Sequence, residues 1–133
     1  MKNLDDSKLF TPYKMGPVTL RNRVIRSAAF ESMGKDFGPS QDLKDYHVSV
    51  ARGGVGMTTL AYASINRSGV SFNSQLWLRD EIVPQLRDIT EAVHAEGAAV
   101  GVQIGHCGNM THWSTAGSFP VSASNGFNLY SPT

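Results

Sequence analysis

The stretch Ala98-Ala99-Val100-Gly101-Val102-Gln103-Ile104-Gly105-His106-Cys107-Gly108 constrains the fold more than any other part of the chain. It starts directly after Gly97, where a helical pattern stops. At period two, Val100, Val102 and Ile104 share one face, and Ala99, Gly101 and Gln103 share the other. The first face suits a strand covered by helices. The second is small until it ends in an amide. In α/β proteins ligands bind at the carboxyl ends of parallel strands, which is where Gln103 stands.

The residues before this stretch repeat the same logic. Leu9-Phe10-Thr11-Pro12-Tyr13-Lys14-Met15 and Val18-Thr19-Leu20 flank the turn dipeptide Gly16-Pro17, which predicts a short hairpin lid over 9–23. A first strand is expected over 24–30, β-branched at its start and small at its end, where a ligand or backbone can approach closely. Ser40 is placed to cap a helix carrying Leu43, Tyr46, His47 and Val50 at helical spacing, and Gly53-Gly54 ends it. A second strand follows over 55–65, with Met57, Thr59 and Ala61 opposite Thr58, Leu60 and Tyr62. Residues 66–79 read as loop. A second helix begins near Pro84, buries Leu86, Ile89 and Val93, and stops at Gly97. From 109 onward the Ser-, Gly- and Asn-rich pattern shows no helix and reads as one long loop. Within 24–108 the order β-α-β-α-β, with near-continuous apolar strands, predicts a parallel sheet with right-handed crossovers.

Composition and motifs narrow the function. The net charge of +1 leaves no basic footprint for a nucleic-acid partner. No apolar run is long enough for a bilayer, and the start lacks a signal-peptide core; cytoplasmic placement is the expectation, with no membrane partner. Cys107 is the single cysteine, which rules out an internal disulfide, and it reads as a small packed residue. Gly53-Gly54-Val55-Gly56 lies between helix and strand, the reverse of a dinucleotide fingerprint. His47, His94, His106 and His112 lack metal spacing, and His47 and His94 read as half-buried helix residues. Arg26, within a strand, needs a carboxylate partner such as Glu31.

Several blocks in order resemble the old yellow enzyme (NADH:flavin oxidoreductase) family. They are Leu9-Phe10-Thr11-Pro12 with Leu20-Arg21-Asn22-Arg23-Val24, Ala51-Arg52-Gly53-Gly54-Val55-Gly56, Thr90-Glu91-Ala92-Val93-His94-Ala95-Glu96-Gly97, and Val102-Gln103-Ile104-Gly105-His106-Cys107-Gly108. Arg26-Ser27-Ala28 is similar to the branch of the family in which an arginine precedes the flavin-contacting turn. The resemblance implies the N-terminal portion of a TIM (β/α)8 barrel, with about three parallel strands and two helices after a short hairpin. It implies FMN as cofactor and NADH or NADPH as hydride donor, with an activated alkene as small-molecule substrate. Ser27, Ala28 and Ala29 match the turn whose backbone lies against the flavin ring. Ala61 and Tyr62 match further ring contacts, and Gln103 matches the amide on the pyrimidine edge. His106 matches a pocket neighbour one layer out. Phe30 stands where many relatives carry a thiol or hydroxyl, and Asn109 replaces a frequent arginine.

Length is the largest departure. A (β/α)8 barrel takes about 250 residues, and this chain has 133. The family's substrate-anchoring His/Asn pair, proton-donating tyrosine and phosphate loops have no counterparts here, so no catalytic residue is assigned in this chain. The expected partner is the remainder of the barrel, in the same polypeptide or a companion chain. An iron–sulfur cluster, found in some longer relatives, would belong to residues beyond these. Alone, the open sheet is not expected to fold cooperatively. The competing readings are a non-catalytic half-barrel serving assembly or binding, and another phosphate-binding TIM barrel, which the ordered blocks disfavour.

Overall fold

The computed structural model describes residues 7–124 and 126. The hairpin forms where the turn dipeptide puts it: β1 (Tyr13–Met15) and β2 (Val18–Leu20) pair antiparallel around Gly16, whose φ of +57° favours glycine. There follow β3 (Ile25–Arg26), α1 (Gln41–Arg52), β4 (Met57–Ser64), β5 (Leu76–Trp77), α2 (Val83–Ala95), β6 (Ala99–Gly105) and a one-turn α3 (Trp113–Ala116). The strands β3, β4, β5 and β6 form one parallel sheet with β4 at its centre. Along one edge β4 pairs with β6, from Met57↔Ala99 to Ser64↔Gly105. On the other, β3 meets its first two residues and β5 its last two. The expected three parallel strands and two crossover helices are all present.

Local signals account for the helix ends. The Ser40 side chain accepts from the Leu43 N–H, Pro84 sits in the first turn of α2, and Gly54 and Gly97 follow the two helices with φ of +103° and +77°. Leu43, His47 and Ala51 of α1 and Ile89 and Val93 of α2 turn inward. They meet Leu60, Ala63, Leu76 and Ala98 in one core.

Several expectations are corrected. The first strand is shorter than 24–30: only Ile25 and Arg26 pair. The loop 66–79 contains β5, and the tail after 108 contains α3. The strict alternation of β4 fails, because three steps of β4 from Leu60 to Ala63 span two steps of β6 from Val102 to Ile104. This one-residue bulge flips the face, so Leu60, Ala61 and Ala63 are all buried, and the Ala61–Tyr62 peptide there is cis. His47 is wholly buried rather than half-buried, its Nδ1 2.8 Å from Thr58 Oγ1, whereas His94 is exposed. On β6, Val100 packs on the core, but Val102 and Ile104 remain 40% and 60% exposed, so helix cover stops part-way along that face.

The hairpin is fastened at the end of the sheet opposite Gln103. Arg21 donates from Nε to the Val55 carbonyl at 2.9 Å, from Nη1 to Glu96 at 2.8 Å, and from Nη2 to Ala51. Asn22 Nδ2 donates to the Gly54 carbonyl at 2.7 Å. These acceptors lie where the helices end and where β4 begins, so the hairpin is anchored beneath the sheet and is not a lid over the strand ends.

Two glycines test how tightly the strands and loops are held. A Cβ on Gly101 would come within 2.7 Å of Met57 Cε, the swinging tip of a flexible side chain. A Cβ on Gly34 would collide with the Ser74 backbone carbonyl, the acceptor of the Gly34 N–H at 3.0 Å. Gly34→Ala is therefore expected to cost about 2–3 kcal/mol and Gly101→Ala under about 1 kcal/mol, read from urea midpoints of the full-length protein. Equal costs would overturn this placement of the two backbones.

Candidate functional site at the carboxyl ends of the strands

Three backbone segments converge above the sheet: the turn after β3, the end of β4 and the end of β6. Ser27 and Ala29 are exposed, Ala28 and Phe30 half-buried, and Ala61 is buried, with Tyr62 half-exposed beside it. A buried ionic network joins the first two segments. Glu31 Oε1 is 2.5 Å from Arg26 Nη1, the partner expected for that arginine, and Oε2 accepts the Ala61 N–H at 3.1 Å. Arg26 also donates to the Thr59 and Ala29 carbonyls, at 2.6 and 3.0 Å, and lies 5.2 Å from the Tyr46 ring centroid. His47 Nε2 reaches Glu31 Oε1 at 3.3 Å from below. Burial pushes the Glu31 carboxyl up, but contacts from His47, from its own N–H and that of Ala61, and from Arg26 outweigh burial and hold it below the usual carboxylate range. One carboxylate thus ties residues 29 and 61 to the helix layer.

Above this network stands an aromatic wall. Phe30 lies 5.1 Å from Tyr62 and stacks on Phe72 at 5.0 Å between centroids. Burial, and then the neighbouring Cys107 thiol, push the Tyr62 hydroxyl above its ordinary value. Cys107 Sγ also meets the buried Gln75 amide at 3.9 Å, while Gln75 Oε1 accepts the Ser71 N–H at 2.8 Å. The packed reading of Cys107 thus gains partners. Phe72 and Gln75 were hidden by the polar composition of 66–79; the only available signal was an aromatic residue isolated in a loop.

The end of β6 is different. Gln103 is exposed, and its amide makes no hydrogen bond among the described residues. His106 turns toward the loop after β4: Nε2 is 3.2 Å from Ser68 Oγ, Nδ1 accepts the Gly108 N–H at 2.9 Å, and the ring closes over Gly69. The structure thus joins 27–31 to 61–62 and sets His106 on the 67–69 turn. The free amide of Gln103 offers one donor pair and one acceptor to a planar heterocycle, and the small residues 27–29, exposed at Ser27 and Ala29, leave room for its face. The Ala61 N–H is already taken by Glu31, so Ala61 can meet such a ring only through its apolar side. Among the described residues no group of three or more His, Cys, Asp and Glu side chains is placed to hold a metal. No described helix is long and apolar enough to cross a membrane.

The sequence profile of the NADH:flavin oxidoreductase / NADH oxidase family matches residues 8–132. A 4,4'-dithiodibutanoate disulfide reductase of Rhodococcus erythropolis is 44% identical over 100 residues, which are 75% of this chain and 25% of that protein. A probable N-methylproline demethylase of Rhizobium meliloti is 40% identical over 122 residues, 90% of this chain and 18% of the relative. An NADPH dehydrogenase of Listeria welshimeri is 37% identical over 107 residues, 77% of this chain and 31% of the relative. In structure, morphinone reductase in complex with tetrahydroNAD superposes with a TM-score of 0.83 at 25% identity, covering 95% of this chain and 35% of that one. The old yellow enzyme homologue of Zymomonas mobilis gives 0.82 at 24% identity, covering 91% and 34%. The chain therefore spans about a fifth to a third of these curated relatives, and its parallel sheet with crossover helices is the corresponding part of their barrel.

Proposed function

Because the chain belongs to the NADH:flavin oxidoreductase / NADH oxidase family, we propose that it supplies the ring-contacting part of an FMN site in an NAD(P)H-dependent oxidoreductase acting on activated alkenes. The observation that carries this reading is the exposed, unpartnered Gln103 amide at the strand end, beside small residues braced by a buried carboxylate. Bound there, FMN supplies hydride transfer from NADH or NADPH to the β-carbon of the alkene. Gln103 would donate to and accept from the pyrimidine edge, and the backbone at Ser27, Ala28 and Ala29 would lie along the ring. Ala61 and Tyr62 would close one side, with Phe30 behind them, and His106 would hold the neighbouring loop. The groups for the cofactor phosphate and for proton delivery would come from the remainder of the barrel, which is the partner this chain requires. Two of the relatives are named for carboxylate compounds, dithiodibutanoate and N-methylproline. That favours a small substrate bearing an acid group.

Gln103→Leu tests the reading. Leucine keeps the bulk but leaves donors and acceptors of the ring edge unpaired, at about 1–3 kcal/mol, so FMN affinity should fall roughly tenfold or more. The reduced cofactor carries more charge on that edge, so the midpoint potential should fall as well. FMN titration of apo-protein and potentiometry of the full-length protein read both quantities. Unchanged affinity and potential would sink β6 as the flavin strand.

A further inference from the structure

His47 is the one polar residue in the buried stripe of α1. Leu43, His47 and Ala51 recur every four residues and turn inward, each at most 2% exposed. Leucine would complete that stripe, and a wholly enclosed imidazole is costly unless its nitrogens are used. Nδ1 lies 2.8 Å from Oγ1 of Thr58, itself wholly buried at the second position of β4. Nε2 is enclosed, and its one polar contact among the described residues is Glu31 Oε1 at 3.3 Å, long for a hydrogen bond. Facing a carboxylate, Nε2 carries the proton, so Nδ1 of the neutral ring accepts from the Thr58 hydroxyl. Hydroxyl, imidazole and carboxylate follow one another as in a hydrolytic triad, yet burial closes this hydroxyl to any substrate. The array serves position instead.

Glu31 divides its two oxygens. Oε1 receives both Arg26 Nη1 and His47, while Oε2 accepts the Ala61 N–H at 3.1 Å. Arg26 Nη2 in turn holds the Ala29 carbonyl at 3.0 Å. Ala29 and Ala61 belong to the two backbone segments that meet at the candidate site, so one ion pair spans both lips. Arginine alone could serve either carboxylate oxygen, because the two are equivalent until a second donor distinguishes them. His47 is that donor. It comes from a helix fixed by the Ser40 cap and by Leu43 and Ala51 in the core, so its approach to Oε1 is set by a rigid element. With Oε1 doubly engaged, Oε2 is left for Ala61.

We propose that His47 is a positioning residue for the flavin ring: by engaging Glu31 Oε1 it keeps Oε2 on the Ala61 N–H and so fixes the β4 lip of the site. The hold on Ala61 needs no cofactor; its consequence for FMN rests on the flavin reading above. The test uses the full-length protein as wild type, His47→Gln and His47→Asn, each with and without Glu31→Gln. The glutamine amide reaches the place of Nε2 and can still meet Glu31, whereas the asparagine amide reaches only the place of Nδ1 and keeps Thr58. Two quantities are read. One is hydrogen exchange of the Ala61 amide in apo-protein relative to the other β4 amides, a ratio that cancels loss of global stability. The other is the Kd for FMN. His47→Asn should speed the relative exchange about tenfold and raise the Kd about tenfold, and His47→Gln should leave both within about twofold of wild type. Beside Glu31→Gln the two His47 substitutions should no longer differ. Should His47→Asn fail to fold, His47→Phe, which fills the ring volume without nitrogen, takes its place under the same expectations. Equal effects of the two substitutions beside native Glu31 overturn the proposal, by reducing His47 to packing. So does a loss confined to His47→Gln, which would route the effect through Thr58, or a His47→Asn penalty that persists undiminished beside Glu31→Gln. Faster Ala61 exchange with an unchanged Kd also overturns it. The expected exchange pattern in a wild type that binds no FMN would uphold the hold on Ala61 and defeat the flavin reading; FMN binding with the same exchange in every variant would do the reverse.

Discussion

Arg21→Met is expected to destabilise the full-length protein by about 3–5 kcal/mol. One guanidinium satisfies the Ala51 carbonyl in the last turn of α1, the Glu96 carbonyl that closes α2, and the Val55 carbonyl just before β4. Helix ends leave carbonyls without internal partners and carry partial negative charge. Arg21 is only part-buried, but each charge-assisted bond contributes about 1.5–3 kcal/mol before solvent screening, and three share one side chain. Methionine retains the apolar stem and isolates the loss of the fork. Arg21→Lys should recover only a fraction, because an ammonium cannot address three diverging carbonyls at once. Urea unfolding reads the difference. A cost below about 1 kcal/mol for Arg21→Met would show that the three bonds do not hold the helix ends to the sheet.

Glu31→Gln is the second large effect, about 3 kcal/mol at pH 7, because it leaves Arg26 and its surroundings short of a negative charge in a buried site. Its pH dependence has a definite sign. The Glu31 carboxyl is depressed in the folded state from the usual 4.5. The stability it contributes is therefore complete above that value and is lost as pH falls through the lower, folded-state value. As pH falls below 4.5 and through that lower value the folded wild-type side chain takes up its proton and becomes neutral, as glutamine already is, so the gap between the two proteins should narrow steadily. Parallel stability curves down to pH 3 would refute the role of the charge. The same substitution loosens the tie to the Ala61 N–H, so FMN release should accelerate at neutral pH even where the fold survives.

Punctuation residues made much of this architecture legible before any coordinates. Ser40, Gly53-Gly54, Pro84 and Gly97 each act within one turn of chain, where a single residue's chemistry decides the outcome. The Arg26–Glu31 pair was legible too, since a charge inside a strand demands a partner. What escaped was set by contacts distant in sequence. β5 is two residues long, too short for any period, and exists because Ser64 and Trp77 fall into register. The parity break in β4 arises from a bulge against β6, which no local pattern of Leu60-Ala61-Tyr62-Ala63 announces. His47 became a core residue because Thr58, eleven positions on, offers its hydroxyl.

The hairpin's anchorage bears on how this protein can change. Arg21 and Asn22 grip the backbone where strands begin, whereas Phe30, Arg67 and Phe72 stand on turns where strands finish. Mutational load is thereby partitioned along the strand axis. Variation among the upper turns can retarget the acceptor while the lower end continues to enforce folding, so substrate range and expression yield should drift independently across a lineage or a directed-evolution library.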